Sequence, residues 1–340
     1  MKPKIFHSPV PFTLESGDTL PYLEIAYHTY GHLNSDSSNV IWVMHALTAN
    51  SEVADWWPHT VEEGKFLDPS KYFIVCANVI GSCYGSTGPL SINPLTGKPW
   101  YNDFPLITIR DMVGAHILLA EHLGITKIEC VIGSSLGGYQ AIELLCSFPG
   151  FANKAVLIAT GSYTHPWQAA FNETMRMILE ADQTYGTPTP DAGTKGLAAA
   201  RALGLLSYRG RTAYDITQKD NITLNNIPFN RKVHSYQRYQ GDKLTRRFNA
   251  YSYHRICSAV DSHDIARGRG TRDQVLKSIK CPCLIIAISS DLIYPPCDHE
   301  DMAKFIPNAK FTVIDSPFAH DGFLVEHEKL DHLIKDFLTI

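Results

Sequence analysis

The sequence predicts an α/β domain in which a mostly parallel β-sheet, flanked by helices, is interrupted by a helical insertion. Short apolar runs, typical of strands covered on both faces, occur at residues 40–44, 72–77, 128–132, 155–159 and 283–288. Between residues 161 and 277 this strand pattern disappears and helical patterns replace it. We therefore expect a core of residues 1–160 and 278–340 and a helical lid of residues 161–277.

The pattern in the first part of the chain predicts a hairpin followed by strands and helices. Residues 10–32 alternate loosely around Ser16-Gly17-Asp18, which predicts an antiparallel hairpin. The strand at 40–44 ends in a loop that begins at His45, and ligands bind at the carboxyl ends of strands in open α/β sheets. The Gly-, Ser- and Pro-rich stretch 81–98 predicts a long functional loop. A helix is expected over 109–123, with Gly124 as its C-cap.

The insertion is predicted to contain helices at 167–181, 195–208 and 242–260. It carries 17 Lys and Arg residues against 10 Asp and Glu, whereas the whole chain has a net charge of −4. A basic segment of this kind suits an anionic ligand, although a solvated or interface surface explains it equally well. The strand pattern resumes at 283–288 and 310–314, and a helix at 329–338 follows.

Composition restricts the class of protein and its location. A hydrophobic content of 44% and a charged content of 19% are ordinary for a globular enzyme. We expect no membrane span and no signal peptide, hence a cytoplasmic protein, and no nucleic-acid partner. The eight cysteines show no metal-ligand spacing, so no metal site is predicted. The sequence indicates no role for Cys281-Pro282-Cys283.

The stretch Gly133-Ser134-Ser135-Leu136-Gly137-Gly138 carries the chemistry. A buried strand precedes it and a helical pattern follows, which is the context of a nucleophile elbow. Glycines permit the sharp turn that exposes the Ser135 hydroxyl, and the helix start offers a positive dipole end. The sequence therefore predicts a nucleophilic serine on an α/β-hydrolase fold.

A serine nucleophile needs a base and an orienting acid, and in this fold they follow in the order Ser, Asp, His. Asp291 comes just after the strand at 283–288, and His320 comes after the strand at 310–314. Asp315 is the rival acid, but it is only five residues before His320. We predict a triad of Ser135, Asp291 and His320.

An oxyanion hole requires two backbone N–H donors. Leu136, directly after the serine, is the first expected donor. The second should come from the loop after the strand at 40–44, where Leu47 is the favoured residue and Thr48 the alternative.

Blocks spread in order along nearly the whole chain resemble the homoserine O-acetyltransferase family. In addition to the elbow, the blocks are His45-Ala46-Leu47-Thr48, Gly85-Ser86-Thr87-Gly88-Pro89, Asp103-Phe104-Pro105, Thr108-Ile109-Arg110-Asp111-Met112-Val113, Gly196-Leu197-Ala198-Ala199-Ala200-Arg201, Tyr236-Gln237-Arg238-Tyr239-Gln240-Gly241-Asp242-Lys243, Ser290-Asp291 before Pro295-Pro296, and His320-Asp321. The sequence departs from the family pattern at Ala49-Asn50, at Ser82 and at Ser134 and Leu136. None of these departures removes a triad residue.

The resemblance implies acetyl transfer from acetyl-CoA to the hydroxyl of L-homoserine through an acyl-serine, as a step of methionine biosynthesis. It implies that Arg201 holds the substrate carboxylate and that Asp321 binds the ammonium group, with Tyr208 and Thr48 lining the pocket. A guanidinium suits a carboxylate because it binds both oxygens. The resemblance also implies a homodimer and no tightly bound cofactor, with acetyl-CoA as co-substrate.

Three other functions stay open at this point. Serine or another amino acid is an alternative acceptor, and succinyl-CoA an alternative donor, because pockets discriminate poorly against one methylene. An ester hydrolase would use the same Ser-His-Asp residues with water as the acceptor. A binding module without catalysis is the third, although all three triad residues are present.

Overall fold

The apolar runs form the centre of one eight-stranded sheet in the computed structural model, which describes residues 1–220 and 231–339. The strands within this part of the chain are β1 (Lys4–His7), β2 (Phe12–Thr13), β3 (Thr19–Leu20), β4 (Glu24–Tyr30), β5 (Val40–Met44), β6 (Phe73–Ala77), β7 (Ile92–Asn93), β8 (Lys98–Pro99), β9 (Ile128–Ser134), β10 (Ala152–Ile158), β11 (Cys283–Ile288) and β12 (Ala309–Ile314). The α-helices are α1 (Val53–Trp56), α2 (Ile109–His122), α3 (Leu136–Ser147), α4 (Pro166–Glu180), α5 (Thr194–Thr217), α6 (Lys232–Thr245), α7 (Ala250–Asp261), α8 (Arg272–Ser278), α9 (Pro296–Phe305), α10 (Gly322–Val325) and α11 (His327–Thr339).

The large sheet has the order β1-β4-β6-β5-β9-β10-β11-β12. Its first two pairings are antiparallel and all later ones are parallel, so the predicted mostly parallel sheet is confirmed. The predicted hairpin is confirmed as the small pair β2–β3, whereas β4 joins the large sheet instead. The carboxyl ends of β5, β9, β11 and β12 all lie at one edge, which brings the predicted site loops together.

Two apolar layers cover the sheet because successive side chains of a buried strand point to opposite faces. Trp42 and Val131 pack on one face with the helices α2 and α3. Ile41 and Ile132 pack on the other face with α11. A strand in such a sheet is apolar at every position, which explains the continuous runs in the sequence.

The predicted lid contains helices α4 to α8 in its described part, and residues 221–230 lie outside the described residues. The prediction of one helix over 242–260 is wrong, because α6 ends at Thr245 and α7 begins at Ala250. Asn249 is the N-cap of α7, and its side chain accepts a hydrogen bond from the Ser252 N–H, which starts a new helix. The helix predicted at 195–208 continues as α5 to Thr217, with a bend at Gly210, where φ is +63°.

Candidate active site

Ser135 occupies a strained turn between β9 and α3. Its φ of 56° and ψ of −123° lie outside the regions that L-residues ordinarily adopt. A Cβ on Gly133 would lie 2.1 Å from the Gly137 carbonyl oxygen, and one on Gly137 would lie 2.0 Å from the Met44 carbonyl oxygen. Both positions therefore need glycine because the strand, the turn and the β5 exit approach one another so closely.

The three predicted triad side chains form a hydrogen-bonded chain. The Ser135 hydroxyl donates to His320 Nε2 at 2.8 Å, and His320 Nδ1 donates to Asp291 Oδ2 at 2.7 Å. The second oxygen of Asp291 accepts the backbone N–H groups of Ile293, at 2.8 Å, and Tyr294, at 3.1 Å. Because both oxygens have partners, the carboxylate is held in one orientation against the imidazole.

The rival acid, Asp315, faces elsewhere. Its Oδ1 accepts a hydrogen bond from the Ser289 hydroxyl at 2.9 Å, and the residue is exposed. Asp291, in contrast, is 3% exposed and contacts the imidazole directly. The geometry therefore favours Asp291 over Asp315 as the partner of His320.

The imidazole of His320 is enclosed by aromatic rings. The ring centres of Phe323, Tyr294 and Tyr208 lie 5.3, 5.4 and 6.0 Å from its own. Burial lowers the pKa of His320, but the charge of Asp291 and its hydrogen bond outweigh burial and raise the pKa above the ordinary value of 6.5. A base of this kind takes the serine proton readily and is neutral only above its raised pKa.

The two favoured oxyanion donors, Leu47 and Leu136, line the same cavity as Ser135. Leu136 is the first residue of α3, where backbone N–H groups lack intrahelical acceptors. Among the described residues, neither N–H has a hydrogen-bond acceptor. The alternative, Thr48, also lines the cavity, and its carbonyl accepts a hydrogen bond from Arg247.

All four predicted substrate-binding residues, Arg201, Asp321, Tyr208 and Thr48, line a cavity of about 100 Å³ that includes Ser135 and His320. The Arg201 guanidinium carbon lies 5.3 Å from the centre of the Tyr208 ring. In the described part of the chain, Arg201 forms no ion pair with a carboxylate. Burial raises the pKa of Tyr208 to about 12, so its hydroxyl is neutral near neutral pH.

Arg209 is a further residue at the site that no sequence pattern indicates. This residue lies next to Tyr208 on α5, and its Nε donates to Asp321 Oδ2 at 2.9 Å. It also contacts the hydroxyl of Tyr236 on α6. The contact depends on the bend at Gly210, and a glycine within a helical pattern does not reveal whether the helix bends.

Part of the positive charge of the insertion is paired with acidic residues of the core. Arg267 pairs with Glu15 at 2.7 Å, and Arg269 pairs with Glu143. Both acidic partners belong to the predicted core, so these arginines join the insertion to it. The surplus of positive charge is therefore partly an interface between parts of one chain.

Neither a metal cluster nor a membrane span is found in the described residues. Among residues 1–220 and 231–339, no group of three or more His, Cys, Asp or Glu side chains is placed to hold a metal ion. The helices of these two ranges are too short or too polar to cross a bilayer.

Comparison with known proteins identifies the class and then the family. Residues 39–327 match the family model described as the alpha/beta hydrolase fold, in agreement with the sheet order and the serine turn. A homoserine O-acetyltransferase from Cyclobacterium marinum is 44% identical over 337 residues, which cover 99% of this chain and 95% of the relative. This chain belongs to the homoserine O-acetyltransferase family, and the predicted resemblance is confirmed.

Solved structures agree with the fold. A homoserine O-acetyltransferase from Bacillus anthracis superposes with a TM-score of 0.93 at 23% identity, covering 100% of this chain and 98% of that one. Esterase E22 superposes with a TM-score of 0.91 at 24% identity, covering 99% of both chains. At these identities the likeness shows the fold alone.

Proposed function

We propose that this protein transfers the acetyl group of acetyl-CoA to the hydroxyl of L-homoserine through an acetyl ester on Ser135. The observation that carries the proposal is the placement of Arg201 and Asp321 in one cavity with Ser135. An amino acid presents a carboxylate and an ammonium group, and these two side chains have the complementary charges. Relatives named homoserine O-acetyltransferase, at 44% identity over 99% of the chain, support the same substrate.

In the first half-reaction, Ser135 Oγ attacks the carbonyl carbon of the thioester while His320 Nε2 takes the hydroxyl proton. The carbonyl oxygen becomes an oxyanion that accepts the N–H groups of Leu47 and Leu136. Collapse of this intermediate breaks the carbon–sulfur bond, and the proton on His320 passes to the departing sulfur. CoA thiol leaves and Ser135 retains the acetyl group.

In the second half-reaction, the homoserine hydroxyl attacks the acetyl carbon and His320 takes its proton. Collapse breaks the ester bond to Ser135, whose oxygen regains the proton from His320. Asp291 orients the imidazole and stabilises its positive charge in both halves. Arg201 and Asp321 bind the two charged ends of homoserine, with Tyr208 and Thr48 beside them. Acetyl-CoA acts as co-substrate, and these steps need no tightly bound cofactor.

The lid, the homodimer and the cytoplasmic location are parts of the same proposal. Arg201, Tyr208 and Met175 line the cavity from the segment 161–277, which supports the role of this segment as a lid. Leu206, Ile216 and Tyr239 expose apolar side chains on α5 and α6, which supports dimer formation through this segment. Analytical ultracentrifugation measures whether the protein forms this dimer.

Eight free cysteines suit a reducing compartment, which supports the cytoplasmic location.

The test of the proposed function is release of CoA thiol from acetyl-CoA, measured with a thiol reagent with and without homoserine. We expect release that depends on homoserine and is absent in Ser135→Ala. Fast release without homoserine, unchanged when it is added, would identify an ester or thioester hydrolase instead. Parallel assays with serine and with succinyl-CoA distinguish the alternative acceptor and donor.

A further inference from the structure

His45 follows β5 directly, is fully buried, and makes two hydrogen bonds that fix its tautomer. The Val79 backbone N–H donates to its Nε2 at 3.0 Å, so Nε2 is the unprotonated nitrogen. Nδ1 therefore carries the proton and donates to the Ala46 carbonyl oxygen at 2.8 Å. Burial lowers the pKa of His45 to about 4, which keeps the ring neutral at neutral pH.

The carbonyl of Ala46 belongs to the same peptide group as the N–H of Leu47. A trans peptide is planar, and its C=O and N–H bonds point in opposite directions. Whatever holds the Ala46 carbonyl therefore also sets the direction of the Leu47 N–H. The Ala49 N–H also donates to this carbonyl, at 3.0 Å, so a backbone amide of the turn and the buried His45 side chain hold it together.

A buried amide ties the preceding His45–Ala46 peptide to the start of α3, just after the serine. Gln140 Nε2 lies 3.3 Å from the His45 carbonyl oxygen and 3.2 Å from the Leu136 carbonyl oxygen. Gln140 Oε1 accepts in turn from His116 Nε2 at 3.0 Å. The two loops that supply the proposed oxyanion donors are thus fixed to each other by polar groups that do not line the cavity.

We propose that His45 is a positioning residue whose Nδ1–H holds the Ala46–Leu47 peptide so that the Leu47 N–H points at the developing oxyanion. The inference rests on the acyl-serine chemistry of the proposed function. His45 is not among the cavity-lining residues and acts through Leu47. Both half-reactions pass through an oxyanion, so both depend on this orientation.

Two substitutions separate positioning from packing. His45→Asn places an amide N–H near the position of Nδ1 and preserves the bond to Ala46, whereas His45→Gln places its amide near Nε2 and preserves only the bond from Val79. Each variant loses one of the two hydrogen bonds, so we expect similar melting temperatures. We expect His45→Gln to lower kcat by about 10- to 100-fold with an unchanged KM for homoserine, and His45→Asn to retain most of the activity.

The acylation step is measured separately with p-nitrophenyl acetate, whose burst of p-nitrophenol needs no acceptor. The same difference between the Gln and Asn variants is expected in this burst rate. If wild-type protein shows no turnover with homoserine but the difference persists, the proposed function fails and the role of His45 stands. Equal losses in both variants that follow their melting temperatures would overturn the role.

If His45→Gln does not fold, the positioning role of His45 is tested with His45→Asn alone. A folded Asn variant with most of its burst rate supports the proposal. A folded Asn variant that loses about 100-fold or more, as when an oxyanion donor is deleted, overturns it. Inhibition by a trifluoromethyl ketone that adds to Ser135 gives a second readout, because its bound oxygen is an oxyanion. Its inhibition constant should rise in proportion to the loss of burst rate.

Discussion

Arg209 donates a 2.9 Å hydrogen bond from Nε to Oδ2 of Asp321, the residue directly after His320. The other carboxylate oxygen, Oδ1, has no hydrogen-bond donor among the described residues. Asp321 is thus held by one oxygen while the other is available to a substrate ammonium group. The bend of α5 at Gly210, whose Cβ position would lie 3.0 Å from the Ala319 Cβ, brings Arg209 against this loop.

Arg209→Gln should therefore weaken binding of homoserine. We expect KM for homoserine to rise by about tenfold, since loss of a charge-assisted bond costs about 1.5 kcal/mol, with a smaller change in kcat. Arg211→Gln is the matched control, because Arg211 lies on the same helix with a side chain that is 93% exposed. Steady-state kinetics with homoserine varied at fixed acetyl-CoA measure the effect. An unchanged KM in Arg209→Gln would show that Arg209 does not position Asp321.

Arg201→Gln should remove recognition of the substrate carboxylate. For wild-type protein, we expect kcat/KM to fall about 10- to 100-fold when homoserine is replaced by 3-aminopropan-1-ol, which lacks that carboxylate. For Arg201→Gln, homoserine should already react at the lower rate, and removal of the carboxylate should cost little more. If the variant and the wild type discriminate equally between the two acceptors, Arg201 does not bind the carboxylate.

The activity should have an acidic limb set by His320. The protonated imidazole accepts no proton, so kcat/KM for acetyl-CoA should fall as pH drops through the pKa of His320, which lies above 6.5. Asp291→Asn removes the charge that raises this pKa and leaves the burial that lowers it. In this variant, kcat/KM should begin to fall only at a lower pH than in wild type. Its maximum value should be lower by about 10²- to 10⁴-fold. If kcat/KM of Asp291→Asn falls at the same pH as that of the wild type, the titrating group is not His320.

Gly137→Ala should destabilise the fold, although alanine normally favours a helix over glycine. The new Cβ would lie 2.0 Å from the Met44 carbonyl oxygen, and backbone cannot move aside cheaply. We expect a loss of about 3 kcal/mol or more in the free energy of unfolding. Gly114→Ala within α2 is the control, because its Cβ would meet only the Phe12 ring, at 3.4 Å. Urea denaturation that shows equal stability for the two variants would refute the steric role of Gly137.

The sequence was sufficient for the sheet and for the proximity of Ser135, Asp291 and His320, because both follow from local patterns. Continuous apolar runs mark strands buried on two faces, and a serine between glycines after such a run marks the turn. Asp291 and His320 could be chosen because both directly follow strands, and parallel strands end at one edge. The preference for Asp291 over Asp315 agrees with the hydrogen bond to His320.

Features that depend on contacts between distant segments were not predictable. Arg209 meets Asp321 across 112 positions of sequence, through a bend that no local pattern reveals. In the sequence, His45 is an ordinary loop residue. Only the structure shows that its ring is hydrogen-bonded to both Val79 and Ala46. The net charge of the insertion suggested an anionic ligand, but part of that charge neutralises Glu15 and Glu143.

In the proposed reaction, Ser135 carries the acetyl group between the two substrates. The direct test is intact-protein mass spectrometry after brief mixing with acetyl-CoA alone, followed by addition of homoserine. We expect one added acetyl group that is absent in Ser135→Ala and that homoserine removes, with O-acetylhomoserine appearing in equal amount. An acetyl group that persists on Ser135→Ala, or one that homoserine does not remove faster than buffer does, would contradict it.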